Sequence, residues 1–178
     1  MSLPADLAVR PLEPSDDAAL VGLARACDET YLEWAPAGWS IPEVPPGWAE
    51  RLIGPDRWSR AAFDYRGRGG LVATVAFRPA RVGENAPGPH EGPLLTGVAH
   101  LGIVFVHPSR WREGIAGAML DLAEAEMEAR GYVREQLWTP EGAPAEHFYR
   151  ARGWEHDGRR AWHPWVGLDV VGYARDLP

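Results

Sequence analysis

At 178 residues the chain has the length of one domain, and its 46% hydrophobic content separates it from disordered chains. A formal net charge of -7 opposes non-specific nucleic-acid binding, which needs clustered cations against phosphate, and favours a cationic partner such as an amine. The single cysteine, Cys27, rules out an internal disulfide framework and a four-cysteine metal site; all 18 basic residues are arginine, so a lysine nucleophile or Schiff base is excluded.

In chain order, residues 7–11 predict a short strand. Ser15 is placed to cap a helix running to about Cys27, with Asp16 and Asp17 in its first turn, where the helix dipole favours negative charge. Residues 34–47 are broken by Pro36, Gly38, Pro42, Pro45, Pro46 and Gly47 into irregular structure, and residues 48–53 predict a short helix. Residues 61–65 and 71–77 predict two strands joined by a glycine-rich turn at 66–70. Residues 79–95, rich in proline and glycine, predict a long exposed loop. Residues 98–106 (Val-Ala-His-Leu-Gly-Ile-Val-Phe-Val) predict a central strand buried on both faces. Residues 115–130 predict the best helix, with Ile115, Ala118, Met119, Leu122, Ala125 and Ala129 on the apolar side and Gly131 ending it; Glu126 falls inside that stripe without an account. A strand at 135–139, a short helix at 143–152 and two strands before Leu177 complete the chain. Hairpin links among the early strands predict a mixed α/β fold of the α+β type, with a mostly antiparallel sheet of six to seven strands and about four helices in a single domain over residues 1–178.

No apolar run approaches the roughly 18 residues of a membrane span, and residues 1–6 lack the basic and apolar regions of a signal peptide. With one cysteine, a reducing cytoplasmic compartment is expected.

The chemically informative unit is Val106-His107-Pro108-Ser109-Arg110-Trp111-Arg112-Glu113-Gly114-Ile115-Ala116-Gly117. A strand ends at a proline, and a glycine-bearing turn opens a helix. The first N–H groups of a helix lack internal partners and point outward at its positive end, so a diphosphate there meets several donors. Gly114 and Gly117 remove side chains from the approach, and Arg110 and Arg112 add charge beside it. A P-loop would need a lysine, and the dinucleotide glycine spacing is wrong. The alternative is an ordinary strand–turn–helix connection with glycines for packing.

The segment resembles the cofactor motif of the GNAT superfamily (the Gcn5-related N-acetyltransferases), V-x-P-x-x-Q/R-x-x-G-x-G/A. Val106, Pro108, Gly114 and Ala116 match, and Trp111 stands at the Gln/Arg position. A second block, Ala145-Glu146-His147-Phe148-Tyr149-Arg150-Ala151-Arg152-Gly153-Trp154, resembles the family's N-x-x-A-x-x-F-Y-x-x-x-G-F. Ala145, Phe148, Tyr149 and Gly153 match, Trp154 replaces the final Phe, and Gly142 occupies the Asn position. The resemblance implies an acetyl-CoA-dependent N-acetyltransferase of GNAT fold. Backbone N–H groups of Arg112, Glu113, Gly114, Ile115, Ala116 and Gly117 would hold the pyrophosphate. The backbone of Val104, Phe105 and Val106 would pair with the pantetheine arm like an added strand. Gly142 lies near the cofactor without the side-chain hydrogen bond an Asn would give. The resemblance also implies Tyr149 as the general acid toward the thiolate, and places the region of Glu29, Glu33 and Trp34 over the acceptor.

Acetyl transfer to an amine needs a proton acceptor for the amine, a stabilised oxyanion and a proton for the thiolate. A phenol stays protonated at neutral pH, which suits Tyr149; packing a short helix on the sheet is its structural alternative. His100 lies on the strand beside the cofactor, and strand alternation puts it on one face with Gly102, Val104 and Val106. An imidazole there suits a general base, a hydrogen-bonded core histidine being the alternative. Trp34, Trp39 and Trp48 line an acceptor pocket or anchor the proline-rich segment. Cys27 reads as a small core residue. His147, His156 and His163 lack metal-ligand spacing, so no metal is expected. The partners expected are a small-molecule amine, neither nucleic acid nor membrane, and at most a second copy in a homodimer. A non-catalytic CoA-binding module is the opposing reading, favoured by Gly142 and Trp111.

Overall fold

The computed structural model of the protein describes residues 2–65, 69–84 and 91–177; most of the turn expected at 66–70, and residues 85–90, lie outside them. The elements are β1 (Leu7–Arg10), α1 (Asp17–Glu29), α2 (Trp48–Arg51), β2 (Trp58–Asp64), β3 (Leu71–Arg81), β4 (Leu94–Val106), α3 (Ile115–Ala129), β5 (Arg134–Pro140), α4 (Ala145–Ala151), β6 (Glu155–His163) and β7 (Leu168–Asp176), with 3-10 turns at Pro14–Asp16, Thr30–Glu33 and Pro108–Arg110. The strands form one seven-stranded sheet in the order β1-β2-β3-β4-β5-β7-β6. Every neighbouring pair is antiparallel except β4 with β5. The expected mixed, mostly antiparallel sheet with four helices is therefore the one observed.

Two apolar clusters cover the two faces. On one, Ile115, Met119, Leu120, Ala123 and Met127 of α3 and Tyr149 of α4 pack on Val75, Phe77, Leu101 and Leu137. On the other, Leu20, Leu23 and Cys27 of α1 pack with Ala49, Ala61 and Leu71. The α3 stripe is rotated from the one expected: Leu122 is 39% exposed and Ala125 and Ala129 face solvent. The buried series 115, 119, 123, 127 follows the i, i+4 row. Glu126 thus leaves the apolar stripe and pairs with Arg130 at 2.8 Å.

Strand edges also moved. Pro79–Arg81 belong to β3 and Leu94 opens β4, so the loop expected from 79 is shorter. Pro79 cannot donate to the ladder, and the register shifts immediately after it. Ser15 does not cap α1. A reciprocal box between Glu13 and Asp16 closes that start, and Asp16 is fixed by Arg10 at 2.6 Å. The carboxylate of Asp17 instead accepts from the backbone N–H groups of Gly47 and Ala49, both at 2.9 Å. These bonds hold its carboxyl below the usual range and dock the start of α2, with Trp48, against α1.

Candidate active site

The parallel pairing of β4 with β5 ends at Leu101↔Leu137. Beyond it, β5 continues against β7 while β4 continues against β3. The two central strands therefore part, and the opening exposes the β5-facing edge of residues 102–106. Alternation of the antiparallel ladder turns the N–H and C=O of Val104 and Val106 toward that edge and those of Phe105 back toward β3. Phe105 is thereby corrected as a backbone contact for an added strand. Its ring packs on Trp48, 5.8 Å between centroids, on the α1 side.

A register shift at Gly102 changes the expected face of His100. Ile103 pairs with Ala76 but Leu101 pairs with Phe77, so β4 carries one extra residue, a β-bulge. Past the bulge Leu101, not His100, shares the α3 face with Val106. His100 falls on the α1 face with Ile103 and Phe105, because a one-residue slip reverses every later side chain.

At the far end of β4, the turn before α3 places Arg112 at φ 66 and Gly114, the N-cap, at φ 78. For Gly114 this left-handed geometry is unstrained; an L side chain there costs about 1–2 kcal/mol. No side chain caps α3 and its first turn holds no acid. Among the described residues, the N–H groups of Arg112 through Gly117 find no protein acceptor; the first bond of the helix is Ala118 N–H to the Gly114 carbonyl at 3.0 Å. Unpaired donors at the positive end of a 15-residue helix are the arrangement that suits an anion. Arg112 is exposed beside it. Arg110 is not available as expected, because Glu113, Asp6 and Asp64 take its guanidinium at 2.8, 3.1 and 3.4 Å. Trp111 has a different task from a Gln or Arg: its indole N–H donates to the Val106 carbonyl at 2.7 Å, closing the turn on the strand end.

Tyr149 approaches the opening from α4. Its ring is buried, edge-on to Phe148 and Trp154. Burial, and then the Glu135 carboxylate, push its phenol well above the ordinary tyrosine value, so the proton is retained across the physiological range. Glu146 fixes the start of α4, accepting from Gly142 N–H at 2.6 Å and from the Tyr173 hydroxyl at 2.5 Å. The backbone N–H of Gly142 is thus already committed, and its φ of 80 suits glycine rather than Asn.

On the α1 face lies an open cavity of about 610 Å³. Trp48, Phe105, Trp138, Tyr31 and Trp165 form much of its wall, and Asp28, Glu84 and His100 are among its acid–base groups. Asp28 is 8% exposed, and burial raises its carboxyl to about 6. Burial, and then the Asp28 charge, raise the phenol of Tyr31, which lines the same cavity. Cys27 donates to the Val106 carbonyl at 3.4 Å, and burial raises its thiol to about 12; it packs and does not react.

A sequence model of the acetyltransferase (GNAT) family matches residues 24–154. The chain belongs to the GNAT acetyltransferase family. Solved GNAT structures share its fold at low identity. The Escherichia coli ribosomal-protein-S18-alanine N-acetyltransferase superposes with a TM-score of 0.65 at 18% identity, covering 96% of this chain and 94% of that one. The PaiA N-acetyltransferase of Thermoplasma acidophilum, solved with coenzyme A, gives 0.62 at 15%, covering 96% and 98%. Nourseothricin acetyltransferase gives 0.65 at 20%, covering 98% and 100%. No curated protein sequence matches it.

Within this GNAT chain, three residues expected over the acceptor are not brought to the cavity wall. Glu29 is exposed and pairs with Arg25 at 3.4 Å. Glu33 is exposed on the 3-10 turn. Trp34 packs on Tyr31, 4.9 Å between centroids, one layer behind the wall. Of Trp39 and Trp48, the first anchors the proline-rich segment and the second lines the cavity, while Trp165 does both. The indoles of Trp39 and Trp165 donate to the carbonyls of Val166 and Glu43 at 2.8 and 2.9 Å, fastening the proline-rich segment to the β6–β7 turn. The acid that does reach the cavity, Asp28, carried a signal in the sequence. Leu20, Leu23, Ala24, Cys27 and Asp28 form the buried row of α1, and an acid on an apolar helical stripe is an anomaly.

Proposed function

We propose that this chain is a single GNAT domain spanning residues 1–178 that transfers acetyl from acetyl-CoA to a primary amine of a small acceptor. The observation that carries the reading is the arrangement around the β4–β5 opening. The anion site of α3 stands at its outer end, the Tyr149 phenol on one side, and a cavity holding Asp28 and His100 on the other. Acetyl-CoA supplies the thioester. The N–H groups of Arg112 through Gly117 hold its pyrophosphate, and the edge of Val104 and Val106 guides its pantetheine. The donor set fits that group: the pyrophosphate is anionic, and the N–H groups stand at the positive end of α3, whose first turn holds no acidic side chain.

In this reading the Asp28 carboxylate draws the ammonium form of the acceptor into a partly apolar cavity. His100 takes one proton from the ammonium, the lone pair so freed forms the N–C bond, and as the C–S bond breaks Tyr149 gives its proton to the sulfur and recovers one from the nitrogen of the adduct. The cavity volume falls within the roughly 300–1,000 Å³ typical of small-ligand sites, which supports a small acceptor. Among the solved relatives, one is a ribosomal-protein-S18-alanine N-acetyltransferase and another is nourseothricin acetyltransferase, so kinship alone does not select between protein and small-molecule acceptors. No helix of the described residues is long and apolar enough to cross a membrane; we place the enzyme in the cytoplasm.

Tyr149→Phe is expected to lower kcat on the order of 10²-fold with CoA affinity unchanged; equal turnover by the variant would remove Tyr149 as the acid. His100→Ala is expected to lower the rate most at pH values where the amine is protonated, read from the pH dependence of kcat/KM. A profile superimposable on the wild type would exclude His100. The opposing reading, a CoA-binding module without turnover, is favoured by Trp111 and Gly142, whose side chains cannot replace the Gln/Arg and Asn of the family motifs.

A further inference from the structure

Glu84 lies in the connection from β3 to β4, outside both family motifs, yet it is 4% exposed. Its carboxylate sits over a row of cross-strand partners, Arg78 on β3, His100 on β4 and Gln136 on β5, which are in register with one another. Arg78 binds both of its oxygens. The Arg81 N–H donates to Oε2 at 3.1 Å and Gln136 Nε2 at 3.4 Å. His100 Nδ1 lies 3.5 Å from Oε1. From β6, Arg159 donates to the Glu84 backbone carbonyl at 3.3 Å and stacks over Trp138. Three strands thus converge on one carboxylate at the cavity wall, and a fourth holds its backbone.

Such a network has more than a structural consequence. Burial alone would raise the Glu84 carboxyl, but Arg78 and His100 outweigh it and hold it below the usual range. An ionised carboxylate beside Nδ1 favours the tautomer with its proton on that nitrogen and leaves the lone pair on Nε2. It also favours the imidazolium that proton capture would create. The other charged or titratable groups lining the cavity are Arg78 on β3, Arg51 on α2, Arg57 just before β2, His163 on β6, Asp28 on α1 and Tyr31 on the 3-10 turn after it; Arg159 of β6 stands behind Glu84. Arg78 moderates the effect of Glu84 on the ring without removing its directionality.

We propose that Glu84 is a positioning residue for His100, fixing its Nδ1–H tautomer and orientation so that Nε2 receives the proton of the acceptor amine. The assignment rests on the reading of His100 as the base, and its test separates the two. Nitrogen chemical shifts of His100 in the wild-type protein should show Nδ1–H with Nε2 unprotonated; an Nε2–H tautomer would overturn the proposal. In Glu84→Gln, the imidazole titration followed by NMR should move down by about one pH unit, and the acid limb of kcat/KM should move with it. The plateau should fall about tenfold, with Glu84→Asp restoring part of it. An unchanged imidazole titration in a folded Glu84→Gln protein would reduce Glu84 to a loop tether and overturn the proposal. A shifted titration alongside turnover indifferent to His100→Ala would uphold the Glu84–His100 pairing while removing His100 as the base.

Discussion

Gly114→Glu is expected to weaken CoA binding by at least about 100-fold, close to 2.7 kcal/mol, while the protein stays folded. Gly114 is the N-cap of α3 at φ 78, where any L side chain is strained by roughly 1–2 kcal/mol. A new carboxylate at a helix N-terminus recovers part of that cost through the dipole, so the loss of stability should be modest. Binding suffers twice. The side chain occupies the space before the N–H groups of Arg112 through Gly117, and its charge repels the pyrophosphate. Calorimetric titration with CoA, paired with thermal denaturation, reads both effects. CoA affinity equal to that of the wild type would remove the turn as the pyrophosphate site.

Asp28→Asn is expected to make the protein more stable and the enzyme worse. Burial raises the Asp28 carboxyl from 3.8 to about 6, about two units, and each unit corresponds to 1.36 kcal/mol. The sign follows from the raised value. The folded state holds the proton more tightly than the unfolded state, so this stabilisation is complete below pH 3.8 and lost as pH rises through about 6. Above that, the buried carboxylate costs up to about 3 kcal/mol, and the neutral amide should recover 1–3 kcal/mol of it. At pH 8 the Tm should therefore rise by roughly 2–12 °C, with little difference near pH 3. The amine should meanwhile lose its anionic anchor, raising KM about tenfold with a smaller change in kcat. A Tm difference independent of pH would contradict the buried-carboxylate account; an unchanged KM would remove Asp28 from the acceptor site.

Much of this was legible in the chain because it is local. The strand end at Val106, the proline, the glycine turn and the helix from Ile115 follow one another within about a dozen residues, and their chemistry belongs to the backbone. The place of Tyr149 on a short helix was legible through its motif. What was hidden depends on partners distant in sequence. The bulge at Gly102 exists only in the register of β4 against β3, and it turns His100 from the α3 face to the α1 face. Arg110 looks like a phosphate ligand until Asp6, just before β1, and Asp64 of β2 arrive. Glu84 gains its role only when β3, β4, β5 and β6 lie side by side. Asp28 is a separate case. Its place on the buried row of α1 could be read from helical phase, but the family resemblance pointed to the region just past that helix, where Glu29 and Glu33 are exposed.

The central claim is transfer rather than binding, and thiol release from acetyl-CoA measured against a panel of primary amines tests it most directly. The account predicts amine-dependent release, one CoA per acetylated amine by mass spectrometry, with rates highest for cationic amines small enough for the cavity of about 610 Å³. Binding of CoA to the wild-type protein with no amine raising thiol release above background would contradict it and leave a CoA-binding module in its place.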